Sequence, residues 1–341
     1  MLIYLFVIIL ITFYHYISVN KTERYGKSDY KYIFYICLIF VMLAALRWIV
    51  PGTDIEGYMG DYVKMQISSF RDLWANWHGN YIVYYSICKI FSFTSLPYQF
   101  WFAFVQLVIV SGFVRMINYL SSDRIICLLL YFTVGVFTFS ITGLKQALAM
   151  GFVWHSYACM CNKNYLWTII FSILAFYSHK TSVIFMLSFV LLLLQNRGRF
   201  YTYVASIAII LITILPSQVL SFMTNYLGDE HYLGALQSNN SYSYTTLLFF
   251  LLLFSIAFFS RCKEYKNSTL IITMAAISVA LNLFSQVVSH AFRLALYYTP
   301  FLIIMVSNRV KNRCVIYIVI LIVSFYMLYT NRSFPYKFFW Q

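Results

Sequence analysis

Apolar residues run along this chain in long, nearly unbroken stretches, cut by short clusters of Lys, Arg, Asn, Ser, Gly and Pro. Twelve stretches read as spans: 1–19, 30–50, 98–117, 125–141, 143–160, 165–178, 182–195, 200–216, 245–260, 268–286, 292–307 and 314–330. A straight crossing takes about 20 apolar residues, and several of these runs are shorter. The first run has no basic start and no small-residue cleavage site, so it reads as a retained helix rather than a signal peptide. One stretch, Ala44 to Tyr62, changes character within a few residues. It leaves an apolar run through Arg47, meets Pro51-Gly52, and continues as an acidic loop with Asp54, Glu56 and Asp61. Proline has no amide donor and glycine accepts unusual dihedrals, so a helix ends there.

Charge fixes the expected topology. Lys21, Arg24, Lys27 and Lys31 place loop 20–31 in the cytoplasm, and the clusters at 197–199, 261–266 and 309–313 follow the same rule. Loop 217–244 holds Asp229 and Glu230 with no Lys or Arg, so it is expected outside. Summed this way, the inner side carries 15 Lys/Arg against 4 Asp/Glu and the outer side 9 against 6, which puts both termini outside. Arg332 and Lys337 in an outer tail run against that sum. Loop 51–78 is acidic and expected outside, and, counted back from Lys163, the span at 98–117 must also enter from outside, which makes 51–97 one outer loop. The apolar stretch 79–93 therefore cannot cross once. It carries Lys89 and is too short for a straight span, so 58–75 and 79–93 read as two helices lying at the outer surface. The alternative is that 79–93 does cross and every later loop is flipped.

Composition agrees with this pattern. The chain is 62% hydrophobic and 10% charged over 341 residues, where soluble domains carry about 25% charged residues. The expected fold is an all-α polytopic membrane protein, one integral domain over 1–341, with about 12 transmembrane helices and two interfacial helices. The net charge of +14 sits in short loops, where it sets orientation in the lipid bilayer, so no nucleic-acid partner is implied. Of the seven cysteines only Cys88 falls on the outer side, which leaves no outer disulfide within the chain. Cys159-x-Cys161 lacks nearby His or Cys partners and reads as structural.

The candidate chemistry gathers on the outer face: Arg47, Asp54, Lys145, His179, Lys180, His290 and Arg293, from separate places in the sequence. Charges at membrane depth face a bundle interior or a watery cavity. Lys180 and Arg332 also fit as snorkelling anchors. Arg47, Lys145 and Arg293 have no carboxylate three or four residues away, and outer cations without such partners suggest an anion such as pyrophosphate. His179, in FYSHKTSV, suits proton transfer near neutral pH or a structural role, and Asp54 can act on a sugar hydroxyl or pair with Arg47. Trp154 and His155 lie mid-helix and read as packing. No GxxxxGK[ST], GxGxxG, HExxH or acidic cluster for a metal–nucleotide donor occurs, so an enzyme here would need a donor already activated in the membrane and no cofactor or metal.

Five segments carry a resemblance: Arg47 through Gly52-Thr53-Asp54 to Tyr58, then GLKQALA at 143–149, SHKTSVIFML at 178–187, FRLALYY at 292–298 and PYKFF at 335–339. In order and spacing they resemble the EpsG/Wzy group of bacterial polysaccharide polymerases. Lys145 departs from that pattern, which has Arg there; lysine keeps the charge but loses the bidentate fork. The resemblance implies an O-antigen or capsule polymerase of the inner membrane, GT-C-like, with its active site facing the periplasm. Such an enzyme transfers a glycan from undecaprenyl pyrophosphate to the non-reducing end of another undecaprenyl-pyrophosphate-linked oligosaccharide, and works with a chain-length regulator. Its expected mechanism is inverting and metal-independent. Arg47, Lys145, Arg293 and Lys180 would hold the pyrophosphate, His179 or Asp54 would take the acceptor proton, and Tyr58, Tyr297 and His290 would contact substrate. Loop 217–244 would act as a lid or acceptor platform. The rival classes are a flippase for lipid-linked units, a membrane acyltransferase acting on surface polysaccharide, and a non-catalytic scaffold. A transporter should show internal repeats, and none is evident between the halves.

Overall fold

The computed structural model describes residues 2–21, 29–47, 54–69, 71–72, 81–94, 96–193, 244–260, 268–285, 291–310, 312–330 and 336–338. The described residues form helices and no strand, apart from one isolated antiparallel bridge between Arg47 and Phe338. In chain order the helices are α1 (Leu2–Lys21), α2 (Asp29–Ala45), α3 (Asp54–Ile67), α4 (Ile82–Phe93), α5 (Tyr98–Leu120), α6 (Arg124–Thr133), α7 (Val136–Thr142), α8 (Leu144–Cys161) and α9 (Tyr165–Ser178). A 3-10 turn over Lys180–Phe185 leads into α10 (Met186–Leu193), and α11 (Tyr244–Phe259), α12 (Ser268–Phe284), α13 (Phe292–Arg309) and α14 (Arg313–Thr330) follow. Helices stand where eleven of the twelve expected runs lie; run 200–216 and loop 217–244 up to residue 243 fall outside the described residues.

Among the described residues α5, with 23 residues, is the one helix long and apolar enough to cross a bilayer by itself. The pair α6–α7 meets the same test only together, bent by 55°. The expected single span 125–141 is therefore broken. The break sits at Val134-Gly135, and Gly135 has φ +92, a conformation costly for any residue with a Cβ. Two expected boundaries also move. The surface helix expected from 58 starts at Asp54, with Asp54 and Glu56 in the first turn where carboxylates meet the positive helix end. Arg47, expected in the last turn of a helix, lies beyond the end of α2.

The chain divides into two compact units. The first comprises 1–119, 123–182 and 320–341. Its centre is a stack of rings, Phe40, Phe132 and Phe137 with Tyr131 and Phe113, centroids 4.8–5.6 Å apart. α5 and α8 cross where Gly112 faces Gly151. A Cβ on Gly112 would stand 2.5 Å from the Gly151 carbonyl oxygen, and one on Gly151 would stand 2.8 Å from the Cα of Ile109. His155 beside this crossing hydrogen-bonds Ser111 at 3.1 Å and stacks on Phe171, while Trp154 is buried, so both pack as the sequence suggests. The second unit comprises 120–122 and 183–319, and its core is the α12–α13 pair with α11 against both.

Residues expected on one membrane face meet one another. Among those expected at the inner face, Asp123 pairs with His15 at 2.9 Å, Arg124 lies over the Tyr30 ring, and Arg309 donates to the carbonyl oxygens of Ala257, Phe258 and Ser260 at the end of α11. Among those expected at the outer face, Lys89 donates to the Met65 carbonyl at the end of α3, and Tyr336 donates to the Leu43 carbonyl at 2.7 Å.

Candidate active site

The site grows from α3. Its positions 54, 58 and 61 are four and three residues apart, which puts Asp54, Tyr58 and Asp61 on one helix face. α4 runs alongside in matching register, so that the Tyr58 ring lies 5.9 Å from Tyr84, Asp61 meets the Tyr85 hydroxyl at 3.4 Å, and Met65 meets Lys89. Lys89 is 2% exposed. Its ammonium caps the α3 carbonyl end and lies 4.3 Å from the Phe93 ring, which fastens the two helices together. Tyr62 reinforces the pair by donating to the carbonyl oxygens of Phe91 and Leu96.

Lys145 enters this pair from the first turn of α8. Gly143 precedes that helix, where a Cβ would stand 2.7 Å from the Phe139 ring. The Lys145 ammonium lies 3.3 Å from Asp61 Oδ2 and donates to the Tyr85 hydroxyl. Four rings surround it, Tyr85 at 4.6 Å, Tyr81 at 5.1 Å, Tyr84 at 5.4 Å and Tyr58 at 5.6 Å from centroid to nitrogen. Asp54 also acts on its charge. The expectation of a Lys145 without a carboxylate partner thus gives way. Its partner comes from a helix far away in sequence, which a search three or four residues along could not reach. Burial, with the Asp61 charge next in effect, pushes the Tyr85 phenol above its usual range, so it stays a neutral donor.

His179 joins the same cluster through Tyr81. The two rings lie 5.3 Å apart, and Nδ1 of His179 is 2.6 Å from the Thr181 hydroxyl. Tyr81 holds φ 58, a left-handed backbone for a bulky residue and a strained position at the site. Lys180 follows in the 3-10 turn, half-buried. Arg47 is 7% exposed and donates from Nη1 to the Ile141 carbonyl at 2.7 Å, in the last turn of α7. The tail holds Arg47 through the bridge at Phe338, and Tyr336 packs edge-on against Tyr4.

The first unit therefore brings Asp54, Tyr58, Lys145 and His179 into one neighbourhood, with Lys180 next to His179 in sequence. Sequence reasoning did not single out Asp61 as a site residue, nor Tyr81 and Tyr85. The i, i+4, i+7 spacing of Asp54, Tyr58 and Asp61 was the available signal. Arg293 and Tyr297 belong to the second unit, on α13, where Arg293 is half-buried and Tyr297 fully buried. His290 lies outside the described residues. Among the described residues no three His, Cys, Asp or Glu side chains converge as metal ligands.

No curated protein and no solved structure matches the chain. The family model described as EpsG family matches residues 30–341, nearly the whole length, and that family includes Wzy-like polysaccharide polymerases. With its apolar helices and this match the chain is a membrane protein with a polymerase-type role in polysaccharide biosynthesis, and it belongs to the EpsG family.

Proposed function

We propose that the protein polymerises lipid-linked oligosaccharide repeat units at the periplasmic face of the inner membrane, as an O-antigen polymerase. The growing glycan leaves undecaprenyl pyrophosphate and joins the non-reducing end of a second lipid-linked unit. The observation that carries this reading is the cluster of α3, α4 and α8, where carboxylates, an ammonium and tyrosine rings meet beside His179. Sugars carry hydroxyls and an apolar ring face, and that mixture answers both. The reaction is an inverting displacement. An acceptor hydroxyl forms a bond to the anomeric carbon, the bond from that carbon to the pyrophosphate breaks, and the acceptor proton passes to His179 or Asp54. Arg47, a guanidinium with donors beyond the one given to Ile141, stabilises the departing anion, and Lys180 adds charge near His179. No metal enters this scheme. A chain-length regulator is the expected protein partner.

One observation favours a second reading, a flippase. The α6–α7 break, with Ser140 donating to Gln106 at 2.9 Å and Gln106 donating to Tyr131 at 3.4 Å, puts buried polar groups next to a broken helix, as in transporters. Complementation separates the two. The native copy is deleted, and the wild type or the Arg47→Ala, Asp54→Ala and His179→Ala variants are expressed, with membrane levels checked. Loss of the long polysaccharide ladder in the deletion, with one repeat unit retained, is the polymerase result, and the variants should cut the ladder at least tenfold. Loss of the single unit as well would favour the flippase, and an unchanged ladder would overturn both.

A further inference from the structure

We propose that the cluster around Lys145 and Asp61 is a subsite for an uncharged sugar ring of the glycan, and not part of the pyrophosphate site. The inference rests on the polymerase reading and says which part of the substrate this cluster takes. Two carboxylates act on the charge of Lys145. Lys145 contributes one positive charge; Asp61, 3.3 Å away, and Asp54, on the same face of α3, contribute one negative charge each. With two carboxylates acting on one ammonium, Lys145 holds no positive charge in excess to offer a pyrophosphate.

The same groups match a pyranose. An ionised carboxylate only accepts hydrogen bonds, at about four positions, so it pairs with hydroxyl donors. Among the described residues Asp61 has two contacts, from Lys145 and from Tyr85, both on Oδ2, and Oδ1 takes part in neither. The Lys145 ammonium has three protons, and among the described residues Tyr85 and Asp61 engage two, leaving one for a sugar oxygen. Ligand access is not closed, since the side chains of Lys145 and Asp61 keep 20% and 14% of their surface exposed. Tyr58 and Tyr81 are half-buried rings at the edge of the cluster, and aromatic faces take the C–H side of a sugar. Tyr84 and Tyr85 are buried behind them and hold the ammonium in place.

The test uses the full-length protein in lipid nanodiscs and two probes: the repeat-unit oligosaccharide released by mild acid from the host's own lipid-linked pool, and inorganic pyrophosphate. Binding is read by calorimetry for the wild type, Asp61→Asn and Tyr58→Ala. The first variant keeps the side chain's size and the second removes only a ring at the edge. Thermal melting of each checks folding. The expected result is a tenfold or greater loss of oligosaccharide affinity in both variants, with pyrophosphate affinity unchanged. Oligosaccharide binding equal to wild type in both variants overturns the subsite, as does a fall in pyrophosphate binding alone. A wild type that binds no oligosaccharide also overturns it. The ladder assay judges the polymerase reading separately, so a wild type that restores the ladder while Asp61→Asn binds normally removes only the subsite.

Discussion

At the scale of single residues, Lys145 shows how a structure can reverse the sense of a sequence difference. Set against a pattern with arginine, lysine looks like the weaker ligand for a phosphate, since it lacks the fork. Within its surroundings it is the fitting residue. A compact ammonium reaches Tyr85 and Asp61 while four rings close around it at 4.6–5.6 Å. A planar guanidinium is broader and would have to push those rings aside, which costs about 1–3 kcal/mol in a packed setting. Lys145→Arg should therefore lower polymer formation about tenfold or more, measured as ladder intensity at equal membrane levels. A plain pyrophosphate ligand would predict the opposite, an activity held or raised by arginine. Cys88, buried beside this cluster, has its thiol pushed up to about 12 by burial and the Asp61 charge, so it stays a thiol and contributes no competing chemistry.

At the scale of elements, the apolar runs show where helices form, because hydropathy is a local property that burial in lipid selects directly. What the runs do not carry is where a helix bends or how closely two helices approach. Gly135 lies inside a run that reads as one span, yet its positive φ divides that run into α6 and α7; a glycine in mid-run was the only hint. The start of α3 at Asp54, four residues before the expected 58, had a signal in the sequence, since two carboxylates in a first turn mark a helix start. Asp54 and Tyr58 were readable as candidates from their own segment. Asp61 and Tyr85 were not, because their meaning arises only when α8 inserts Lys145 between α3 and α4. The α5–α8 crossing is another long-range relation. Gly112→Ala would place a methyl 2.5 Å from the Gly151 carbonyl oxygen, and backbone cannot swing away as a side chain can. Overpacking of this kind should cost about 1–3 kcal/mol, seen as an earlier thermal unfolding of the purified protein in detergent. Gly57→Ala, where a Cβ meets nothing within 4 Å, is the control and should leave the melting point unchanged or slightly raised.

Over the full chain, which residues share a membrane face decides what substrate can reach the cluster. The expected topology assigns 15 of 24 basic residues to the inside and places α3, α4, Lys145 and His179 outside, and the contacts within each unit join residues assigned to the same face. Contacts alone do not say which face is which; a chemical probe does. Gln66, exposed on α3, and Lys163, exposed in the turn between α8 and α9, serve as reporters on opposite faces. In a version of the chain whose native cysteines are changed to serine, Gln66→Cys should react with a membrane-impermeant maleimide in cells whose outer membrane alone has been opened. Lys163→Cys should react only after the inner membrane is permeabilised. The reverse pattern would put the α3–α4–α8 cluster in the cytoplasm, where nucleotide-activated sugars are at hand and a lipid-linked donor is no longer required. Both positions labelled from outside would mean that 79–93 crosses the membrane after all, because one added crossing between the reporters changes their relative sidedness. The cluster's chemistry would survive either result, but its substrate would not, so this labelling experiment decides whether a polymerase acting on exported units is the right frame for the site.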